Sequence, residues 1–324
     1  MKKWCIFGTK CIFSAGMIWF VLRGVDINAV YNITRDALPL PLVLGSILLL
    51  LHVVIVSWRW RAVLKSISAQ LRFRDIIQFS YISIFFNQVL PASVGGDAIR
   101  VYKAYQSGLG LRSAFNSIVL DRVASLVSIA ILMLVSFPLL LTRINDPNIS
   151  MALIVVTLSA LIGFVSFFYF EKLPRYFQRW FITRELVLLS SCMKEAFLST
   201  RNFLHIMGIS ILGHLNLSLS IWLMALSLDI NISILDCLIL FPPVLLLSSL
   251  PISIAGWGIR EGAMIIAFGF VGVSSNLSFT LSVLFGLASI IINIPAGILW
   301  SVTAKNKIVD LNDKIKPNDR HSWR

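Results

Sequence analysis

The chain has 324 residues, of which 57% are apolar and only 13% charged, against roughly 25% charged in an ordinary soluble domain. That balance excludes a water-soluble fold and points to a polytopic membrane protein. A net charge of +13 would suit a nucleic-acid partner only on the face of a soluble domain; here the charges sit in short loops between apolar runs, so they report topology and no nucleic-acid ligand is expected.

In chain order, six segments are long and apolar enough to cross the hydrocarbon layer: 4–22, 38–57, 114–141, 150–170, 203–227 and 277–301. The first begins MKKWC like a signal peptide, but Lys10 divides it and no A-x-A-like cleavage site follows, so a retained span is expected. Two pairs of apolar segments are too short to span, 76–90 with 97–109 and 234–250 with 259–273. Each reads as a re-entrant helical hairpin. Segment 171–202 mixes aromatic and charged residues and is expected to lie along the cytoplasmic surface as an amphipathic helix. Trp58, Arg59, Trp60 and Arg61 read as an interfacial anchor. Residues 302–324 form a polar, disordered cytoplasmic tail, leaving 1–301 as one membrane domain. With this assignment 22 basic residues share the side of both termini and only Arg23, Arg35 and Arg143 lie opposite, which places both termini in the cytoplasm of a cell (inner) membrane protein. Cys5, Cys11, Cys192 and Cys237 show neither metal-ligand spacing nor a disulfide framework, so no cofactor is assigned to them.

The two hairpins carry a repeat. LPASVGGDAIR at 90–100 returns as LPISIAGWGIR at 250–260, displaced by 160 positions and identical at six of eleven. The first hairpin enters from the cytoplasm and the second from outside. The fold expected is therefore all-α and polytopic, with about six spanning helices and two oppositely oriented re-entrant hairpins, an inverted repeat of the kind that builds transporter sites near the midplane. Irregular backbone at that depth must face protein or a wet cavity.

Within the first motif (87–103) the candidate ligand-binding residues are Asn87, Pro91, Ser93, Gly95, Gly96, Asp97, Arg100 and Lys103; within the second (250–263) they are Pro251, Ser253, Gly256, Gly258, Arg260 and Glu261. Each proline ends a half-helix, and the glycines let backbone or ligand come close. The half-helix that follows offers unpaired N–H groups and the positive end of its dipole, so Gly95, Gly96 and Gly258 border two candidate anion sites. The structural alternative is that the glycines only permit packing and the prolines only kink helices. Asp121 and Arg122 add a further pair at membrane depth. Six such charges cannot face lipid, so they face one another or water, either as a purely structural ion-pair cluster or as a site. Lys103 tips the balance positive, which suits an anionic ligand such as a phosphate headgroup, and Arg100 and Arg260 are expected to converge on one cavity. His52, His205 and His214 lack partners at metal-ligand spacing and read as packing histidines. No nucleotide-binding fingerprint is present.

These residues resemble a known family, the transmembrane region of lysylphosphatidylglycerol synthase and its stand-alone, flippase-like relatives. The stretches that carry the resemblance are LRGVD at 22–26, RWRAVL at 59–64, NQVLPASVGGDAIRVY at 87–102, LDRVASL at 120–126 and LPISIAGWGIREGA at 250–263, within a likeness from about residue 12 to 301. The resemblance implies a protein that binds and translocates an anionic phospholipid or polyprenyl-phosphate-type lipid, with a glycosyltransferase or other lipid-modifying enzyme as a possible partner and a homo-oligomer allowed. The full-length synthases carry a soluble aminoacyl-transferase domain that residues 302–324 cannot hold, so no catalytic residue is expected. The alternatives are a membrane-embedded enzyme on a lipid-linked sugar or phosphate, using Asp97, Asp121 or Glu261 as base, and a non-transporting accessory.

Overall fold

A computed structural model describes residues 35–89, 95–144, 146–170, 181–249 and 256–315. The expected first span, together with Pro91, Ser93, Pro251 and Ser253, lies outside the described residues. These residues form ten helices: α1 (Pro39–Ser66), α2 (Phe73–Val89), α3 (Gly95–Gln106), α4 (Leu111–Arg143), α5 (Pro147–Phe167), α6 (Phe181–Phe197), α7 (Thr200–Ser227), α8 (Ile234–Ser249), α9 (Ile259–Gly269) and α10 (Ser275–Ile315). Five are long and apolar enough to cross a membrane: α1, α4, α5, α7 and Ser275–Ser301 of α10. They match five of the six expected spans. At 1.5 Å per residue, the 17 residues of α2 and the 16 of α8 reach only about 26 and 24 Å, short of a hydrocarbon layer.

α1 and α7 run antiparallel along each other and form the backbone of the bundle. Small residues let them approach: a Cβ on Gly45 would come within 3.1 Å of both the Ser220 carbonyl oxygen and the Met224 side chain. Polar side chains then tie one helix to the other's backbone, Ser220 Oγ–H to the Gly45 carbonyl at 2.8 Å and Asn216 Nδ2–H to the Leu48 carbonyl at 2.8 Å. The outward faces stay apolar, with Leu40, Val43 and Ile47 of α1 and Met151, Val155 and Ile162 of α5 exposed for lipid to cover.

Connectivity sets the two short pairs at opposite ends. α2 and α3 begin and finish where α1 ends and α4 starts, while α8 and α9 begin and finish where α7 ends and α10 starts. The Arg143–Asp236 ion pair, 3.0 Å long, confirms that the end of α4 and the start of α8 share one end of the bundle. α2 leans on α10 through Tyr81, whose hydroxyl donates to the Ile292 carbonyl at 2.6 Å.

Two local readings differ from expectation. α1 continues through Ser66, carrying Arg59 and Trp60 into the interior, with Trp60 wholly buried and Arg59 7% exposed; of the expected anchor, Trp58 remains on the outside. α10 continues to Ile315, because Ile308, Leu311 and Ile315 recur at helical spacing in the otherwise polar tail. α6 keeps the amphipathic pattern: Leu189, Met193, Ala196 and Phe197 are buried beneath exposed Glu195 and Leu198.

Candidate functional site

The first hairpin is pinned by a glycine. A Cβ on Gly96 would fall on the Ser83 carbonyl and within 2.8 Å of Asn87 Oδ1, so only glycine lets α3 start against α2. Asn87 Oδ1 accepts the Gly96 N–H at 2.9 Å and thereby caps the helix start. With that start fixed, Asp97 and Arg100, one helical turn apart, are turned inward and buried.

There they join a chain of charges drawn from three helices. Arg59 of α1 donates to both oxygens of Asp121 on α4, from Nε at 2.7 Å and from Nη2 at 3.3 Å. Arg100 Nη2 bridges Asp121 Oδ2 at 3.0 Å and Asp97 Oδ1 at 3.3 Å, and Arg122 Nε donates to Asp97 Oδ2 at 2.6 Å. Three guanidiniums thus face two carboxylates, leaving one unit of positive charge. Trp60 supports the chain from behind: the Arg100 guanidinium lies 4.7 Å from its ring centroid, and its indole N–H donates to Ser117 Oγ at 3.1 Å. Charges this deep are tolerated because each meets an opposite one.

The chain lines a cavity of about 330 Å³. α1 contributes a helical stripe that ends at Arg59 and includes His52; α7 contributes His214, whose Nε2 sits 3.1 Å from the Ser125 carbonyl and 3.0 Å from Ser128 Oγ. Arg100 Nε and the Nδ1 atoms of both histidines are buried without a hydrogen-bond partner. No group of three or more His, Cys, Asp or Glu residues able to hold a metal occurs among the described residues.

The second hairpin is built differently. Gly256 and Gly258 adopt φ +79° and +87°, a left-handed backbone that favours glycine. The Gly258 N–H donates to the Glu261 carboxylate, so the start of α9 already holds an anion of its own. Arg260 donates to Glu261 Oε1 at 2.8 Å and to Ser282 Oγ at 3.1 Å, and stacks 4.8 Å from the Trp257 ring. Gly286 makes room for it, since a Cβ there would meet the guanidinium.

Of the candidate residues within the described segments, the cavity wall holds Asn87, Asp97, Arg100, Asp121 and Arg122. Arg260 and Glu261 form a separate pair outside the cavity wall, with the Arg260 guanidinium 5.8 Å from the Phe285 ring that lines it. Lys103 lies beyond the wall with its ammonium 4.8 Å from the Trp300 ring. Three wall residues, Arg59, His52 and His214, were not among the candidates. The signal was present for α1, where Leu49, His52, Val56 and Arg59 fall at steps of three and four and share one face.

The chain is similar to known membrane proteins over most of its length. A family model described as the lysylphosphatidylglycerol synthase TM region matches residues 9–297. A UPF0104 membrane protein of Methanothermobacter thermautotrophicus is 24% identical over 313 residues, covering 88% of each chain. A UPF0104 membrane protein of Pyrococcus horikoshii is 27% identical over 124 residues, which is 37% of this chain and 36% of that one.

Proposed function

The chain belongs to the lysylphosphatidylglycerol synthase TM region family and is a multi-pass membrane protein, and on that premise we propose that its central cavity binds the anionic headgroup of a lipid and carries it between leaflets. The observation that carries this reading is the ion-pair chain Arg59–Asp121–Arg100–Asp97–Arg122, buried except at Arg122, which lines the cavity with one positive charge in excess. A purely structural cluster would be most stable when neutral and fully paired. Here Arg100 keeps a buried Nε–H without a partner. A phosphate would supply both the missing charge and the missing acceptor, and the fork of a guanidinium suits its oxygens. At about 330 Å³ the cavity takes a headgroup and not its tails, which the apolar flanks of the bundle would solvate.

The basic end of the bundle faces the cytoplasm in this reading. Asp121 then lies about 15 Å into the membrane from the start of α4, and the cavity serves headgroups arriving from the cytoplasmic leaflet. An enzyme using Asp97, Asp121 or Glu261 as base is disfavoured because both oxygens of each carboxylate already accept hydrogen bonds from arginine or backbone donors.

The test uses the full chain in phosphatidylcholine nanodiscs doped with phosphatidic acid, and vesicles carrying a labelled anionic lipid. Arg100→Lys keeps the charge and loses the fork, and should weaken binding roughly tenfold and slow label transfer while the protein stays folded. Absence of phosphatidic acid binding, or a variant that binds as the parent does, would refute the reading.

A further inference from the structure

The charged side of the cavity comes from α1, α3 and α4. The remaining polar wall, from α2, α8 and α10, carries no charge at all: Ser80, Ser83 and Gln88, then Ser248 and Ser249, then Ser289 and Asn293. Resting on the anion reading above, we propose that this wall is a second subsite that takes the hydroxyl groups of a polyol, glycerol or sugar, attached to the phosphate. The ligand class is thereby narrowed to a hydroxyl-rich anionic headgroup.

The polarity of the free atoms gives the ligand its chemistry. Asn293 is 3% exposed, and its Nδ2–H donates to the Ser289 carbonyl at 2.6 Å. A carbonyl only accepts, so the amide is fixed with Oδ1 turned away from that bond, and this oxygen is buried without a partner. Gln88 Nε2–H donates to Ser289 Oγ and its Oε1 is buried and unpaired; a hydroxyl takes either role, so Asn293 is the amide whose orientation its bonding fixes. Ser248 and Ser249 have spent their protons on the Val244 and Leu246 carbonyls, each at 2.7 Å, and retain lone pairs. Ser80, 1% exposed, keeps an unpaired hydroxyl. Six of the nine buried side-chain atoms without partners among the described residues belong to this one cavity: His52, Ser80, Gln88, Arg100, His214 and Asn293. The unpaired atoms of the uncharged wall are two acceptors and one hydroxyl.

Two amide oxygens among serine lone pairs call for O–H or N–H donors and offer nothing to a phosphate. An ammonium headgroup would supply donors too, but no carboxylate stands on α2, α8 or α10 along the cavity, and the surplus charge on the other wall is positive. Neutral hydroxyls meet both conditions. Leaving a buried acceptor unpaired carries a larger penalty than the net gain of one bond, so such a wall rejects headgroups that lack hydroxyls more strongly than it attracts those that have them.

The experiment measures binding of the full chain, in phosphatidylcholine nanodiscs, to phosphatidic acid, phosphatidylglycerol, phosphatidylethanolamine and a polyprenyl-phosphate hexose. Phosphatidylglycerol or the hexose lipid should bind at least tenfold more tightly than phosphatidic acid, and whichever does identifies the source of the polyol. Asn293→Leu and Gln88→Met should each cut that preference by roughly three- to tenfold while leaving phosphatidic acid binding unchanged. Ser80→Ala, the mildest change, should act in the same direction and keeps the proposal testable if a bulkier variant fails to fold. Equal affinities for phosphatidic acid and both polyol lipids would overturn the subsite and spare the anion reading, as would tighter binding of phosphatidylethanolamine. Variants that weaken all ligands alike would do the same. No binding of phosphatidic acid or of either polyol lipid would overturn both.

Discussion

Replacing Asp121 by Ala should be the most destructive single change in the charged chain. Asp121 accepts from Arg59 at 2.7 and 3.3 Å and from Arg100 at 3.0 Å, and its removal strands guanidiniums whose side chains are 8% and 3% exposed. Breaking a buried pair by deleting one partner costs about 3–5 kcal/mol. Arg100 retains Asp97 at 3.3 Å, so the second orphan is partial and the loss should fall near 4–5 kcal/mol, an apparent Tm drop on the order of 10 °C. Arg122 is the control. Its side chain is 47% exposed and Asp97 keeps Arg100 when it is gone, so Arg122→Ala should cost about 1 kcal/mol or less. The double variant Arg59→Met/Asp121→Leu removes one charge of each sign and should recover a large part of the Asp121→Ala loss. Thermal unfolding in detergent, followed by a thiol-reactive dye on the buried Cys237, reads all three. Equal losses for Asp121→Ala and Arg122→Ala, or a double variant no more stable than Asp121→Ala, would refute the reasoning.

In the same assay Gly96→Ala should cost about 1–3 kcal/mol, because its Cβ meets the backbone of Ser83, whereas Gly208→Ala on α7 meets nothing within 4 Å and should be neutral or stabilising by up to about 1 kcal/mol. Arg260→Lys should leave affinity for phosphatidic acid within about twofold of the parent, the precision at which exposed or remote changes count as neutral, while lowering the apparent Tm through lost contacts to Glu261 and Ser282; a loss of affinity matching that of Arg100→Lys would place Arg260 in the site. Single cysteines at exposed Ser107 and Glu195 should resist a membrane-impermeant thiol reagent in intact cells and those at exposed Asn148 and Ser274 should react, as the distribution of basic residues requires; the reverse pattern inverts the topology.

The helices were legible because hydrophobic length is a strong signal in a membrane: the spans 114–141 and 203–227 became α4 and α7 with ends moved by no more than three residues. The hairpins were legible from Pro and Gly breaking apolar runs in matched places. What composition hid was the direction in which a polar side chain turns. Arg59 and Trp60 carry the same letters as an interfacial anchor, and only the packing of α1 against α4 shows that they close the charged chain. The histidines were read as packing residues because they lack metal-ligand neighbours in sequence. Their place in the cavity wall depends on α1 and α7 lying side by side, which neither helix reveals alone.

The repeat itself misled in an informative way. A displacement of 160 positions carries α2, α3 and α4 onto α8, α9 and α10, so two equivalent half-sites were the natural expectation. Following that displacement residue by residue, the partners of Arg100 are not kept for Arg260. Asp97 corresponds to Trp257, Asn87 to Leu247, Asp121 to Leu281 and Arg122 to Ser282. Both carboxylates that Arg100 meets, Asp97 on α3 and Asp121 on α4, are replaced in the second copy by an aromatic and an aliphatic residue, and Glu261 supplies a local substitute. Both arginines are therefore satisfied by their own hairpin and the adjoining long helix, but the first shares its α4 carboxylate, Asp121, with Arg59, which extends the charged chain across to α1. An inverted repeat that had kept both copies charged would have doubled the buried charge around one cavity and its desolvation penalty. Neutralising one copy keeps a short helix pair on both sides of the bundle and concentrates the surplus positive charge on one wall.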